Sequence, residues 1–462
     1  MRIHILGVCG TFMAGVAAIA RELGHEVTGS DTAFYPPMSE QLRALGIAVR
    51  EGYREEHLRE LEPDLVLIGN ALSRGNPAVE AVLDRGLPYA SGPEWLAREL
   101  LHQRKVIAIA GTHGKTTTTA LTAFLLDRLG LAPGFLIGGV ARDFPLSARV
   151  GSGELFVIEA DEYDTAFFDK RAKFLHYRPR IAVLNNLEYD HADIYPDLAS
   201  IERQFHLLVR TVPRSGRLVV KAGDEALERV LQMGCWTPVE RFGFADGARW
   251  RAEALCADAS RFRVWHDGRE LGKASWALAG VHNVENALAA LAAVSAAGVM
   301  AEAALGHLPD FRGVRRRLEF LGEVGGIRVF EDFAHHPTAI ARTLEALRAR
   351  LGPGSSLRLA LEPRSNSMRM GAHLERLPEA LALADRIELF IPPGVAWRGE
   401  VLAARLGERL RVHSEIEGLI EAIARDRLPG EAVCFMSNGS FGGAPQRLLS
   451  RLGQATLADE AG

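Results

Sequence analysis

The sequence contains few cysteines, and they are not arranged for a zinc site or a disulfide framework. There are four of them, Cys9, Cys235, Cys256 and Cys434, and no two form a Cys-X-X-Cys pair. Structural zinc sites and small disulfide-bonded domains usually need closely spaced cysteines. The scattered positions argue against both, and they are typical of a protein that stays in a reducing, cytoplasmic environment.

Long apolar runs and a charge imbalance are also missing. No run reaches the ~18–20 consecutive apolar residues that a membrane-spanning helix needs. The apolar run after Arg2 is short and stops at glycines, which is unlike an export signal. A formal net charge of −4 gives no broad attraction to nucleic acid or to an anionic membrane. We therefore expect neither partner, and nothing in the pattern requires an oligomer.

What remains is typical of a globular protein with several domains. Hydrophobic residues make up 48% of the chain and charged residues 24%, and the 462 residues are enough for more than one hydrophobic core. Strand-like apolar runs alternate with helix-length patterns, which predicts βαβ units and mainly parallel sheets. We predict an α/β fold with three domains, 1–104, 105–313 and 314–462, of which the first and third are Rossmann-like.

The predicted strands are short apolar runs bounded by turn residues. They are Ile3–Leu6, a run ending at Ser30-Asp31, Leu65–Ile68, Val106–Ala110, Leu155–Ile158, Ile181–Leu184, a pair joined by Gly325-Gly326, Leu357–Leu361, Ile387–Ile391 and Ala432–Met436. The clearest predicted helices are about Ala14–Leu23, about Val284–Ala297 and one that follows Pro337.

A glycine-rich turn follows the first predicted strand and contains Gly7, Gly10 and Gly15. Glycines let the backbone approach a pyrophosphate, and the next helix offers free N–H groups at its N-terminus. Asp31 ends the second strand, where a dinucleotide-binding fold places an acid on a ribose. The spacing departs from Gly-X-Gly-X-X-Gly, so a nucleotide site, an NAD site and a plain strand-to-helix turn all remain open.

A second turn, Gly111–Thr117, is far more specific. It follows the apolar strand Val106–Ala110, opens a helix and contains the Gly-Lys-Thr core of a P-loop. In such a loop the backbone N–H groups cradle phosphates, the lysine (Lys115) reaches the terminal phosphate and the threonine (Thr116) binds Mg²⁺. Ile109 stands where the full Walker pattern has glycine. We predict an ATP-binding central domain, against the alternative of a tight turn with an exposed lysine.

Acidic and histidine side chains follow the next two strands of the central segment. Glu159 comes directly after Leu155–Ile158, and His191 lies in the loop after Ile181–Leu184. Ligands of open α/β sheets bind outside the carboxyl ends of the strands, so these side chains are expected beside the P-loop. We predict that both are metal ligands, although loop acids and loop histidines are often only solvated.

Three further groups of residues are candidates for the same site. The basic run Arg315–Arg317 is either a solvated face or the source of a guanidinium for a transferring phosphoryl group. His282 and Asn283 open the alanine-rich helix, where asparagine is also a common N-cap. Asp332 and the pair His335-His336 follow a strand of the third segment, and His-His-Pro before a helix is also an ordinary helix entry.

Together these motifs resemble the Mur ligases, the ATP-dependent enzymes that build the peptide stem of bacterial peptidoglycan. The resemblance covers the whole chain. Its motifs are Gly111-Thr-His-Gly-Lys-Thr116, Glu159-Ala-Asp-Glu162, Asp190-His191, His282-Asn283 with Asn286, Gly313 with Arg316-Arg317, and Asp332 with His335-His336-Pro337. Ile109 fits this family, which uses a shorter Gly-Thr-X-Gly-Lys-Thr form of the loop.

The resemblance implies a UDP-sugar on the first domain, ATP and Mg²⁺ on the central domain, and the incoming amino acid or peptide on the third. The implied UDP-sugar residues are Gly7, Gly10, Gly15 and Asp31. The implied ATP-binding residues are Gly111, Thr112, His113, Gly114, Lys115, Thr116, Thr117, His282, Asn283, Arg317 and Asp332. The implied metal ligands are Thr116, Glu159 and His191, and the implied catalytic residues are Lys115, Arg317 and His191.

Several relatives carry a carbamylated lysine after the region of His191. This sequence has no lysine between Phe174 and Val220, so it resembles the branch that acts on UDP-N-acetylmuramate itself. Within that branch it resembles the peptidoglycan-recycling ligases, which attach the murein tripeptide L-alanyl-γ-D-glutamyl-meso-diaminopimelate, more than the alanine-adding ligases. The stretches that carry this similarity are Gly7–Gly15, Gly69–Pro77, Ser91–Leu96, Glu362–Met368 and Met436–Gly443.

The segment after the predicted strand Leu357–Leu361 is the candidate binding site for the implied tripeptide, because ligands of such sheets bind at the carboxyl ends of strands. Diaminopimelate ends in an ammonium and a carboxylate, which suit asparagine and a forked guanidinium. We predict that Arg364 and Asn366 bind it, against the alternative of a simple strand-to-helix turn.

Three other functions remain as alternatives. The first is ligation of free L-alanine to UDP-N-acetylmuramate, the second is NAD-dependent oxidoreduction, and the third is an ATP-driven switch without ligase chemistry. The last two leave either the P-loop or the third α/β domain without a role.

Overall fold

Three β-sheets, each built from a consecutive part of the chain, form the framework of the molecule. The structure is a computed structural model, and it describes residues 1–34 and 36–461, with side chains as far as residue 454. The sheets contain five, ten and six strands, and a separate two-stranded hairpin accompanies the second. This confirms the predicted α/β fold. Across those described residues, no helix has the length and apolar character to cross a membrane.

The first sheet is parallel and has the strand order β3-β2-β1-β4-β5. Its strands are β1 (Arg2–Leu6), β2 (Glu26–Asp31), β3 (Ala48–Glu51), β4 (Leu65–Ile68) and β5 (Tyr89–Ser91), and its helices are α1 (Thr11–Glu22), α2 (Met38–Ala44), α3 (Glu55–Leu61), α4 (Pro77–Asp84) and α5 (Gly92–Glu99). The sequence did not predict β3, because this edge strand is half-exposed and has no apolar run.

Helix α1 is almost completely buried because it also packs against the second sheet. The residues Phe12–Ala20 are buried. At Gly15 an added Cβ would lie 3.0 Å from Leu136 Cγ and 3.3 Å from Ala148 Cβ of the central sheet. Small residues on α1 therefore allow the first and central domains to approach closely.

The central sheet carries the P-loop and has the order β17-β16-β15-β14-β13-β12-β6-β9-β7-β8. Its strands are β6 (Lys105–Ala110), β7 (Gly134–Leu136), β8 (Ala148–Arg149), β9 (Leu155–Glu159), β12 (Ile181–Leu184), β13 (Arg217–Lys221), β14 (Val239–Gly243), β15 (Trp250–Ala254), β16 (Arg261–His266) and β17 (Arg269–Ser275), and the separate hairpin is β10 (Asp164–Ala166) with β11 (Asp169–Ala172). Strand β6 lies between β12 and β9, and the three largely apolar strands run parallel, so their carboxyl ends share one edge.

The helices of the central domain are α6 (Lys115–Arg128), α7 (Leu198–Thr211), α8 (Glu225–Gln232), α9 (Val281–Ala296) and α10 (Ala301–Gly306). Two of them, α6 and the alanine-rich α9, share one core with the sheet, and most of their residues are buried. Helix α9 begins at Val281 with Gly280 at the N-cap, so the alternative that Asn283 is the N-cap is wrong.

The third sheet has the order β18-β19-β23-β20-β21-β22, and β18 runs antiparallel to β19. Its strands are β18 (Glu319–Val324), β19 (Ile327–Asp332), β20 (Leu357–Leu361), β21 (Arg386–Phe390), β22 (Leu410–His413) and β23 (Ala432–Met436), and its helices are α11 (Pro337–Leu351), α12 (Asn366–Met370), α13 (Leu377–Ala380), α14 (Glu400–Leu406), α15 (Ile416–Arg425) and α16 (Ala444–Ala461). The strands β19, β23 and β20 are parallel neighbours, so their carboxyl ends share one edge. The segment after β19 contacts the P-loop there, because the ring centroid of His336 lies 4.6 Å from that of His113.

Candidate active site

A cavity of about 490 Å³ opens where the three domains meet. The carboxyl ends of β6, β9 and β12 form its floor, the loop after β19 covers it, and Thr11 and Phe12 of the first domain reach its edge. Most of the predicted ATP and metal residues line this cavity. They are Thr112, His113, Gly114, Lys115, Thr116, Thr117, Glu159, His191, His282, Asn283, Arg317 and Asp332.

The P-loop conformation depends on two glycines that no other residue can replace without strain. Gly111 has φ +141° and Gly114 has φ +78°. An added Cβ on Gly114 would lie 2.4 Å from Asn286 Oδ1, so the loop and helix α9 are in close contact there. The N–H of His113 donates to Asn186 Oδ1 at 2.7 Å, which fixes the loop to the segment after β12.

Lys115 is the first residue of helix α6, and it pairs with two carboxylates of the loop after β9. Its Nζ lies 3.1 Å from Glu162 Oε2 and 3.5 Å from Asp161 Oδ1, and its side chain is only 11% exposed. Burial alone would lower the pKa of Lys115, but these carboxylates raise it above its usual range. The ammonium is therefore charged and lies where a P-loop lysine meets the terminal phosphate.

Thr116 and Glu159 form the part of the site that suits Mg²⁺. The hydroxyl of Thr116 donates to Glu159 Oε1 at 3.0 Å, and Glu159 Oε2 accepts from the N–H of Gly138 at 2.8 Å. Burial, with repulsion from Asp161, raises the pKa of Glu159 to about 7. A hydroxyl and a carboxylate beside a phosphate-binding loop are the hard oxygen ligands that Mg²⁺ prefers. These two residues therefore fit the predicted ion.

His191 lies on the same side of the P-loop but contacts a different acid. Its Nε2 is 2.9 Å from Glu162 Oε1, and its ring packs against Tyr163 at 4.1 Å between centroids. Burial works against the charged form, but Glu162 raises the pKa of His191 above its usual value. The sequence had not singled out Glu162 as a separate site residue. Its place three residues after Glu159, in one loop, was the available signal.

The C-terminal domain delivers Arg317 to the P-loop. Its Nη2 donates to Thr116 Oγ1 at 3.2 Å, and its guanidinium lies 5.0 Å from the ring centroid of Phe333. The neighbouring Arg316 has a structural role instead, because it pairs with Glu331 at 2.7 Å. Arg315 is exposed. The basic run thus divides into a solvated, a structural and a site residue.

Asp332 and Asn283 line the cavity, and each also makes hydrogen bonds to nearby backbone groups. Asp332 accepts the N–H groups of Leu318 at 2.5 Å and Ala334 at 2.7 Å, which shapes the loop that carries Arg317. Asn283 donates to the carbonyl of Ala279 at 2.7 Å. Burial and the nearby Arg342 lower the pKa of His282 to about 4, so this ring is neutral at neutral pH.

A histidine-rich contact joins the central and C-terminal domains next to the P-loop. Ligand atoms of His113, Glu188 and His336 lie within 4.8 Å of one another. Glu188 Oε2 accepts from Thr338 Oγ1 at 2.7 Å, and His336 Nδ1 accepts from the N–H of Thr338 at 3.3 Å. Glu188 and His336 are thus both bonded to the entry of α11, so the cluster is a domain contact in this structure.

Asp190 makes a second contact between these domains, which sequence reasoning missed because it depends on distant parts of the chain. It accepts from Ser367 Oγ at 2.7 Å and lies 3.6 Å from His373 Nε2. Burial would raise its pKa, but His373 and the nearby His191 hold the pKa of Asp190 well below its usual range. The ionised carboxylate thus stabilises the docked arrangement of the two domains.

Asp31 stabilises the first glycine turn by accepting backbone hydrogen bonds. Its Oδ2 accepts the N–H of Cys9 at 2.8 Å, and its Oδ1 accepts the N–H of Thr32 at 2.7 Å. Gly7 has φ +80° and Gly10 is the N-cap of α1, whereas Gly15 faces the central sheet. The structure thus places Gly7 and Gly10 at the turn, and contact of any of these residues with a UDP-sugar stays a prediction.

Arg364 and Asn366 lie on the turn between β20 and α12, with Ser365 between them as the N-cap. The side chain of Arg364 is 51% exposed and lies 3.5 Å from Glu362 Oε1. Asn366 Nδ2 donates to Asp193 Oδ2 of the central domain at 2.6 Å. The strand-to-helix turn exists, and the side chain of Arg364 on it is half-exposed. Peptide binding by this pair stays a prediction.

Three α/β domains with a P-loop between them define a nucleotide-dependent enzyme, and comparison with known families makes the class specific. Three family descriptions match in chain order: Mur ligase family, catalytic domain, at residues 2–104; Mur ligase middle domain at 109–294; and Mur ligase, glutamate ligase domain, at 316–439. The chain therefore belongs to the Mur ligase family.

Its relatives include the UDP-N-acetylmuramate--L-alanyl-gamma-D-glutamyl-meso-2,6-diaminoheptandioate ligase of Escherichia coli (strain K12). That protein is 48% identical over 458 residues, which cover 99% of this chain and 100% of the relative. The UDP-N-acetylmuramate--L-alanine ligase of Oleidesulfovibrio alaskensis is 40% identical over 363 residues, covering 78% of this chain and 77% of the relative. The crystal structure of a murein peptide ligase from Psychrobacter arcticus, 44% identical, matches with a TM-score of 0.78 over 98% of this chain and 99% of that chain.

We predict that Lys115→Ala lowers the rate of ATP-dependent phosphate release while the fold survives. Removing one preorganised cation at a developing charge typically costs ~10²–10³ in turnover. The fold should persist because Glu162 keeps His191 as a partner. Phosphate release and circular dichroism measure the two effects. The matched control is Lys105→Ala, which removes an exposed lysine paired with Glu154. A folded Lys115→Ala protein with wild-type turnover would contradict this role.

Proposed function

We propose that this protein is an ADP-forming ligase that joins UDP-N-acetylmuramate to L-alanyl-γ-D-glutamyl-meso-diaminopimelate in peptidoglycan recycling. The observation that carries the proposal is the convergence of Lys115, the Thr116–Glu159 pair and Arg317 in one cavity. The full-length similarity to the Escherichia coli relative supports the tripeptide as the second substrate.

The proposed reaction has two steps. A carboxylate oxygen of the sugar substrate forms a bond to the γ-phosphorus of ATP while the bond from that phosphorus to the bridging oxygen of the β-phosphate breaks, which releases ADP and leaves an acyl phosphate. The free amine of the peptide then attacks the carbonyl carbon, and inorganic phosphate leaves as the amide forms. Phosphorylation converts a poor acyl donor into a good one.

The first step brings two anions together, and the residues of the cavity offset that cost. Lys115 lies in the P-loop and Arg317 donates to Thr116 of the same loop, so both would bring positive charge to the transferring phosphoryl group. Thr116 and Glu159 would hold Mg²⁺, which when bound offsets the charge of the phosphates. His191, beside Glu162, is the candidate ligand for a second ion.

The acyl phosphate must also be protected from water. The C-terminal domain covers the P-loop through Arg317, and the Asp190–Ser367 and Glu188–Thr338 contacts hold it there. Closure of this domain would exclude water and complete the set of cations in one movement.

Two alternatives have less support. Relatives named for ligation of free L-alanine match with lower identity, 40% for the Oleidesulfovibrio alaskensis ligase and 34% for that of Roseiflexus castenholzii. An NAD-dependent oxidoreductase would leave the P-loop and its acids without a role, whereas the first turn is only one edge of the shared cavity.

We predict that UDP-N-acetylmuramate and ATP support rapid phosphate release with the tripeptide and much slower release with free L-alanine. The physical reason is that the anchored far end of the peptide contributes binding energy that alanine lacks. A coupled phosphate assay with both amines at equal concentration measures the ratio. A preference for L-alanine would instead assign the protein to de novo synthesis, and no release with either would reject ligase activity.

We predict that Arg364→Ala weakens the tripeptide by ~1.5–3 kcal/mol and leaves L-alanyl-γ-D-glutamate almost unchanged. This magnitude is that of a charge-assisted hydrogen bond to the diaminopimelate carboxylate. The KM values of both peptides measure it. The control is Arg369→Ala on the same segment, because Arg369 donates to the carbonyl of Gly394 within its own domain. Equal losses for both peptides would assign Arg364 to folding or to the nucleotide site.

A further inference from the structure

Lys173 is a buried lysine without a carboxylate partner. It begins the short 3₁₀ turn Lys173–His176 after β11 and is 6% exposed. Within the described part of the chain, no ion pair or hydrogen bond reaches its Nζ. Four other lysines, Lys105, Lys115, Lys170 and Lys221, each pair with a carboxylate, and the remaining one, Lys273, is exposed to solvent.

Two aromatic rings surround the ammonium of Lys173. Its Nζ lies 5.2 Å from the ring centroid of Phe12 and 5.6 Å from that of Tyr163. Cation–π contacts compensate only part of the cost of burying a charge, which normally requires an opposite charge. Burial accordingly lowers the pKa of Lys173, and the nearby acids Asp161, Asp164 and Glu162 act in the opposite direction. None of these acids forms an ion pair with the ammonium, so its direct contacts are the two rings.

The two rings come from different domains and both line the active-site cavity, whereas Lys173 lies next to them and is not itself part of the lining. Phe12 belongs to the first turn of α1, directly after the glycine turn. Tyr163 belongs to the acidic loop after β9, and its ring packs on His191. Lys173 thus lies between the turn predicted to hold the UDP pyrophosphate and the P-loop. The reacting carboxylate of the UDP-sugar has to cross this interval to reach the γ-phosphate.

We propose that the Lys173 ammonium binds the carboxylate of the UDP-sugar and directs it toward the γ-phosphate of ATP. This assignment rests on the proposed function. The flexible four-carbon stem lets the ammonium follow the carboxylate by rotamer changes. Phe12 and Tyr163 form an apolar wall around the pair, which strengthens their attraction by excluding water.

The test compares two ligands that differ at the carboxylate. UDP-N-acetylmuramate carries the lactyl carboxylate, whereas UDP-N-acetylglucosamine shares the nucleotide and sugar but lacks it. Isothermal titration calorimetry with the full-length protein should show that Lys173→Met weakens the first ligand about 10- to 100-fold, as expected for a charge-assisted contact. Binding of the second ligand should change less than about twofold, and Lys173→Arg should retain most of the affinity for the first.

The control variant is Lys170→Met, which removes a nearby exposed lysine paired with Asp164 and should leave both affinities unchanged. If Lys173→Met does not fold, as judged by its thermal midpoint, Lys173→Gln keeps a donor without the charge and decides the question. Equal weakening of both ligands would assign Lys173 to the pyrophosphate, and no weakening of either would make it a structural cation. Either result overturns the proposal. Failure of the wild-type protein to bind UDP-N-acetylmuramate would instead reject the proposed function.

Discussion

The hydrogen bond from Arg317 to Thr116 is the contact on which the organisation of the site depends. It joins the segment just before β18 in the C-terminal domain to the first turn of α6 in the central domain. A reaction between a carboxylate and a triphosphate must overcome the repulsion of two anions, and water would both screen the helpful charges and destroy the product. Lys115 of the central domain and Arg317 of the C-terminal domain together offset the repulsion between the anions. The C-terminal domain, which brings Arg317, also covers Lys115 and so limits access of water.

The acids of the central loop keep these cations in place before any substrate binds. Glu162 pairs with Lys115 and His191, and these two partners lower the pKa of Glu162 to about 2 despite its burial. The hydroxyl of Thr116 donates a hydrogen bond to Glu159 and accepts one from Arg317. Anionic substrates can therefore replace contacts that already exist, and little reorganisation is needed when charge develops. Lys173 fits the same pattern, as a cation whose anionic partner arrives with the substrate.

Sequence reasoning predicted those parts of the molecule that are local along the chain. The P-loop, the strand bounds Leu65–Ile68, Ile181–Leu184, Leu357–Leu361 and Ala432–Met436, and the helix after Pro337 are confirmed because apolar runs and turn residues determine them locally. The weak edge strands β3 and β22 have no such signal. Other features depend on which domains meet. They are the different contacts of Arg316 and Arg317, the pairing of Asp190 with Ser367, and the enclosure of Lys173 by two rings. One sequence does not encode that proximity in any short pattern.

Oxygen transfer from the sugar carboxylate to phosphate tests the central claim most directly, namely that the cavity activates a carboxylate by phosphorylating it. UDP-N-acetylmuramate labelled with ¹⁸O in its carboxylate is converted with ATP and the tripeptide, and the phosphate is examined by ³¹P nuclear magnetic resonance or mass spectrometry. The account predicts that each phosphate released carries one ¹⁸O atom, while the amide product keeps the other. Amide product formed together with unlabelled phosphate would contradict it, because the carboxylate would not then have attacked the γ-phosphate.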